Sequence, residues 1–159
     1  MEQRTNPFEK RYNALKPLFS FGAYLAKSAI EKELLHLIYF RVSQLNGCAY
    51  CLDMHAKDLR ELGESEQRLY MLSAWEESPV YTNRERAAFA WAEAVTNLAE
   101  GHVKDAVYAY AREEFSEEEL IDLTIAIIAI NGFNRLNVAF RTPAGNYVPG
   151  MHAHHVNNN

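Results

Sequence analysis

With 159 residues, 48% of them apolar and 23% charged, the chain has the size and balance of one globular domain, and two would each be too small to bury a core. A net charge of -5 excludes the basic footprint that nucleic acid or anionic lipid requires. The opening run MEQRTNPFEK lacks the apolar core of a secretion signal, so a cytoplasmic protein is expected.

Apolar residues recur with helical period almost throughout, and no stretch alternates as a strand would. The first helix is predicted from Pro17, a residue suited to a first turn, to Lys27. A second covers Glu31 to Leu45, with Leu34, Ile38, Val42 and Leu45 on one face. Asn46-Gly47 breaks it, Asn46 being placed to cap a third helix from Cys48 to Leu62 that stops at Gly63. A short fourth helix spans Ser65 to Ala74. Thr82 with Glu85 makes a capping box for a fifth, whose stripe is Ala88, Trp91, Ala92, Val95 and Leu98, closed by Gly101. Val103 to Glu114 forms a sixth. Ser116 with Glu119 is a second capping box, and the helix it opens is apolar nearly all round from Leu123 to Ile130. It continues past Gly132 towards Arg141, where Pro143 ends it. The apolar run Leu120 to Ile130 is broken by Asp122 and too short to span a bilayer, so it is read as a core helix or a subunit contact. The expectation is an all-α bundle of about six to seven helices over residues 1–150, with a polar, disordered tail at 151–159. Neither a nucleic-acid nor a membrane partner is expected.

The chain has two cysteines, three residues apart. A secreted disulfide scaffold would carry more, and a structural zinc site would need two further ligands. Among the histidines, His36, His102, His152, His154 and His155 offer no finger-like pair, so neither a metal nor a cofactor is expected. Met54 and Met71 are read as packing residues, and Asp53 as facing solvent. The helical context also disfavours the thioredoxin fold, whose C-x-x-C lies in a βαβ unit.

With Cys48 in the first turn of its helix, Cys51 lies about 60° round from it and His55 falls between them. Free backbone N–H groups and the helix dipole favour a thiolate at Cys48 and, more weakly, at Cys51. The imidazole of His55, one turn from Cys51, can take its proton or stabilise its thiolate. The second thiol can then attack an oxidised first one. Such a set suits peroxide reduction or thiol–disulfide exchange. The dipole points to Cys48 as nucleophile and the spacing to His55 points to Cys51, with the balance falling to Cys51 and Cys48 resolving it.

The segment Arg41-Val42-Ser43-Gln44-Leu45-Asn46-Gly47-Cys48-Ala49-Tyr50-Cys51-Leu52-Asp53-Met54-His55 strongly resembles the signature of the alkylhydroperoxidase D-like, carboxymuconolactone decarboxylase superfamily. The close match covers about Leu34 to Gly63. A looser one is Ile130-Asn131-Gly132-Phe133-Asn134-Arg135-Leu136, similar to an Asn-x-x-Asn-Arg pattern after an apolar helix in family members. The resemblance implies an all-α bundle assembled as homotrimers or homohexamers. It implies an antioxidant peroxidase or disulfide reductase that needs a hydroperoxide substrate and a dithiol reductant. Cys51 matches the peroxide-attacking cysteine, Cys48 the resolving one and His55 the proton-relay histidine. Two positions depart from the pattern. The family's alkylhydroperoxidases carry a glutamate twelve residues before the first cysteine, where this chain has His36, and a histidine just before the second, where it has Tyr50. His36 is therefore a candidate for the altered relay, with packing beside Tyr39 and Phe40 as the alternative. Asn131, Asn134 and Arg135 are read as structural. Lactone decarboxylation also occurs in the superfamily, in enzymes that generally lack the cysteine pair, and a non-enzymatic redox sensor is the remaining class.

Overall fold

A computed structural model describes residues 2–98 and 101–152. Among the described residues there are eight α-helices, one 3-10 turn and no strand. In chain order these are α1 (Pro7–Lys10), α2 (Tyr12–Leu25), α3 (Lys32–Asn46), α4 (Ala49–Glu61), α5 (Glu66–Met71) running into the 3-10 turn Leu72–Ala74, α6 (Asn83–Thr96), α7 (Asp105–Glu114) and α8 (Glu117–Phe140). The count exceeds the expected six to seven by the short α1, whose first turn is capped by the Asn6 side chain.

Both predicted capping boxes form, Thr82 with Glu85 on α6 and Ser116 with Glu119 on α8. Two local readings change. Pro17 lies inside α2, which begins at Tyr12. Asn46 caps nothing: it is the last residue of α3, Gly47 closes that helix in the left-handed region at φ 63°, and Cys48 caps α4.

Helices α3 and α8 form the centre. α3 buries Leu34, Leu35, Leu37, Ile38, Phe40 and Val42, and α8 buries Leu120, Leu123, Ala126, Ile127 and Ile130 in the same core. α4 and α6 pack on α3, and α2 and α6 pack on α8. Gly132 permits the close approach of α2 to α8, since a Cβ there would lie 3.1 Å from Leu18 Cδ1. By length and composition the 24 residues of α8 could cross a bilayer, which the shorter run read from the sequence could not. Here they form the bundle's inner helix, and the buried Asp122 accepts a 2.7 Å hydrogen bond from the Tyr24 hydroxyl.

A polar cluster fixes α3 against α8 just before the cysteines. Asn46 Nδ2 donates to Asn131 Oδ1 and Asn134 Oδ1, both at 2.9 Å, and Asn134 Nδ2 donates to Ser43 Oγ at 3.0 Å. Arg135 donates to the Asn131 side chain, so the Asn-x-x-Asn-Arg pattern serves structure, as read. Asn46→Ala leaves the Asn134 carbonyl, 1% exposed, without its Asn46 donor. The expected loss is about 1–3 kcal/mol of stability, measured by urea unfolding, and an unchanged midpoint would refute it.

Candidate functional site

The left-handed turn at Gly47 lets the chain leave α3 and start α4 at once, so the cysteines sit at the first turn of α4, against the centre of the bundle. Cys48 and Cys51 are joined as a disulfide with Cα atoms 5.4 Å apart. Both are buried, and Cys48 Sγ accepts the Cys51 backbone N–H at 3.4 Å, so one sulfur is both redox group and helix cap. On the other side, Asn137 Nδ2 of α8 donates to Cys51 Sγ at 3.4 Å.

One turn further along α4, His55 is buried, and neither of its ring nitrogens has a hydrogen-bond partner. His36 from α3 meets it edge-on with ring centroids 5.7 Å apart, and the Tyr39 ring lies 5.2 Å from His55. The structure thus brings all four predicted residues to one region, Cys48, Cys51 and His55 on α4 and His36 across from them on α3. It adds Asp58, whose Oδ2 lies 3.9 Å from His36 Nδ1 and 4.0 Å from His55 Nδ1. Asp58 Oδ1 accepts a 2.8 Å hydrogen bond from the Tyr147 hydroxyl. His36, His55 and Asp58 each offer one ligand atom, all within 4.8 Å of one another.

Burial dominates the electrostatics. It pushes His36 down to about 4, helped by the charge of Lys32 and opposed by Glu33. Burial, then His36, holds His55 well below the ordinary imidazole range. Asp58 is raised, again by burial first, with the Tyr147 hydrogen bond working against it. At neutral pH both imidazoles are therefore uncharged, and their approaches to Asp58 are polar contacts, not ion pairs. This protonation state belongs to the disulfide form. A Cys51 thiolate one turn away would draw His55 back up.

His55 and Asn137 also line a cavity of about 340 Å³. Its other walls are mainly apolar, from Phe8, Phe19, Tyr39, Met54, Ile130 and Phe133. Two buried oxygens in its lining, Asn137 Oδ1 and Thr142 Oγ1, lack hydrogen-bond partners. Met54 is thus a cavity wall as well as packing.

The C-terminal segment returns across α4. Lys57 Nζ donates to the Gly145 and Tyr147 carbonyls at 3.1 and 3.0 Å, and Asp53 Oδ2 accepts from Gly145 N at 2.9 Å. The Tyr50 hydroxyl lies 2.7 Å from His152 Nε2, and the His152 ring stacks on Tyr147. Asp53 is therefore a tether and not a solvent-facing residue, and the expected free tail does not begin at 151. The expectation for 153–159, with His154 and His155, lies outside the described residues.

Sequence reading missed Asn137, Asp58 and Tyr147. Asn137 follows the noticed Asn134 by one turn of α8, which was a usable signal. Nothing local linked Asp58 to His36 or Tyr147.

Comparison with known proteins agrees with this architecture. The sequence profile of the carboxymuconolactone decarboxylase family matches residues 13–94. An uncharacterised protein of Bacillus subtilis (strain 168), YdfG, is 40% identical over 139 residues, covering 87% of this chain and 95% of that protein. A crystal structure from Agrobacterium tumefaciens, of a protein of unknown function assigned to antioxidant defence as an AhpD, superposes with TM-score 0.88 and 41% identity, over 92% of this chain and all of that one. The debrominase Bmp8 shares the fold at TM-score 0.77 and 21% identity, over 87% of this chain and 75% of its own.

Proposed function

The chain belongs to the carboxymuconolactone decarboxylase family, within the alkylhydroperoxidase D-like superfamily, and on that footing we propose that it is an antioxidant thiol peroxidase that reduces organic hydroperoxides through Cys51, Cys48 and His55. The observation that carries this reading is the surroundings of Cys51. Its sulfur meets the Asn137 amide, His55 follows one turn on, and both those residues line an apolar cavity large enough for a small organic hydroperoxide.

In the proposed cycle, Cys51 gives its proton to His55, and the thiolate attacks one oxygen of R–O–O–H. The O–O bond breaks, the sulfur is oxidised by two electrons to a sulfenic acid, and the alkoxide leaves as the alcohol with the proton from His55. The Cys48 thiol then attacks the Cys51 sulfur, an S–S bond forms and water leaves. A dithiol supplies two electrons and two protons to restore both thiols, becoming a disulfide itself. His36, in the place of the family's glutamate, packs against His55 and positions it.

Steady-state consumption of an alkyl hydroperoxide with a panel of dithiol reductants tests the proposal. Turnover that requires both cysteines is expected. Reduction of a disulfide substrate without peroxide turnover would replace the reading with a disulfide reductase, and no turnover with either would leave a redox sensor. Asn137→Ala should raise the Cys51 thiol pKa by about 1–2 units, since a hydrogen bond to a charged group contributes about 1.5–3 kcal/mol. Thiolate absorbance against pH reads this, and an unshifted curve would reduce Asn137 to packing.

The proposal includes assembly as a homotrimer or homohexamer. Ile121 and Ile128, 60% and 51% exposed, lie seven residues apart on one face of α8, an apolar surface a second copy can cover. Light scattering should show the oligomer at micromolar concentration, and a strict monomer would oppose it.

A further inference from the structure

We infer that His36, His55 and Asp58 form a binding site for one divalent transition-metal ion of the Zn²⁺ class, and that its occupancy switches off the base role of His55 given in the preceding proposal, on which this second half rests.

The donor set comes first. Two imidazole nitrogens and one carboxylate oxygen, from α3 and α4, converge with all ligand atoms within 4.8 Å of one another. Two of the separations, from Asp58 Oδ2 to each Nδ1, are 3.9 and 4.0 Å. Ligands at the usual zinc distances of about 2.0–2.2 Å stand roughly 3.4 Å apart in a tetrahedron. Closing the site on an ion would therefore take about half an ångström on those two edges and up to about 1.4 Å on the third, between the two imidazole nitrogens, a movement within reach of two side-chain rotations. Two nitrogens and one oxygen suit Zn²⁺, Co²⁺ or Fe²⁺, and not the oxygen-only demands of Ca²⁺ or Mg²⁺.

Unmet hydrogen bonding is the second observation. His36 Nδ1 and both nitrogens of His55 are buried without partners, and the His55 side chain is 8% exposed. Buried polar atoms are otherwise paired almost without exception, so two orphan nitrogens, His36 Nδ1 and His55 Nδ1, facing one carboxylate oxygen call for a shared partner. The carboxylate is also held ready. Tyr147 occupies Asp58 Oδ1 and leaves Oδ2 facing the imidazoles, the kind of outer hydrogen bond that orients a metal ligand.

Occupancy has a chemical consequence for His55. Ligation through Nδ1 leaves the ring's one proton on Nε2, which then donates only and can take no proton from Cys51. Metal binding would therefore remove the proton acceptor that Cys51 uses in the proposed cycle, without touching either sulfur.

Titration of chelator-stripped, full-length protein in its disulfide form decides the matter, because the sulfurs then cannot ligate. Co²⁺ should give a d–d absorption spectrum saturating at one equivalent, and Zn²⁺ should displace it. His36→Ala and Asp58→Asn should each weaken Co²⁺ binding at least tenfold, and Tyr147→Phe about tenfold. The double variant His154→Ala, His155→Ala should bind as the parent does. Absence of a saturable spectrum, binding untouched by His36→Ala and Asp58→Asn, or binding lost with His154 and His155 would each overturn the site. In the reduced enzyme, Zn²⁺ should inhibit peroxide consumption with an inhibition constant matching its dissociation constant, and full activity at saturating Zn²⁺ would overturn the switch. An enzyme without peroxide turnover would remove the preceding proposal, while the Co²⁺ titration would still judge the site.

Discussion

Cys51→Ser should lower the rate of peroxide consumption by at least about 10²-fold, whereas Cys48→Ser should consume one equivalent quickly and then stop. The attacking thiol is needed for the first oxidation and the resolving thiol only afterwards. Two effects compete for the assignment. Cys48 caps α4 and enjoys the dipole, which at a buried terminus is worth up to about 2 kcal/mol. Cys51 has the Asn137 amide on its sulfur and His55 one turn away, and general-base assistance alone contributes roughly 10²-fold or more. The second effect is the larger. In Cys48→Ser, a dimedone-type probe should trap a sulfenic acid on Cys51, seen by single-turnover mass spectrometry. A trapped acid on Cys48 in Cys51→Ser, with none on Cys51 in the other variant, would reverse the roles.

Stability should fall as the pH drops from about 6.5 towards 4, a window that opens above the ordinary carboxylate range. His36 ionises at about 4 in the folded protein, against an ordinary value of 6.5. Between those values the unfolded chain binds the proton and the folded chain does not, so stability falls as pH drops through this window. The contribution is complete above pH 6.5 and lost towards pH 4, and amounts to roughly 3 kcal/mol. His55 adds to it with the same sign, since burial depresses it as well. Asp58 opposes it, because its raised carboxyl takes up a proton in the folded state first. Urea unfolding with a chelator present, at pH 7 and near pH 4.5, measures the net slope. His36→Gln should flatten it by up to one proton, and an identical slope in the variant would show that His36 ionises freely.

Much of the bundle was legible because helix signals are local. The two capping boxes, the glycines at 47 and 63 and the apolar stripes of α3 and α6 mark elements within a few residues of themselves. The errors fell where a distant contact overrides a local preference. Pro17 forfeits one hydrogen bond, yet α2 continues through it because the helix packs along α8. Asn46 has the composition of a cap, but two asparagines of α8 recruit its side chain. The site divides the same way. Cys48, Cys51 and His55 share one helix face and could be read from spacing. Asn137 is 86 residues from Cys51, and Tyr147 is 89 from Asp58, so neither partnership leaves a mark in the local sequence.

That Cys48 Sγ accepts the Cys51 amide makes the beginning of α4 a redox-linked element. A neutral disulfide sulfur is a weak acceptor, and the Cys48 sulfur freed by reduction becomes a strong, charged one as it ionises to attack Cys51. Reduction should therefore tighten the first turn, and any force that frays that turn should favour the oxidised form. By the same linkage, the cap lends the thiol state part of the helix's own folding free energy and makes the pair a stronger oxidant than an uncapped one. The Cys51 amide proton becomes a reporter built into the backbone, its exchange with solvent slowing on reduction and quickening on oxidation.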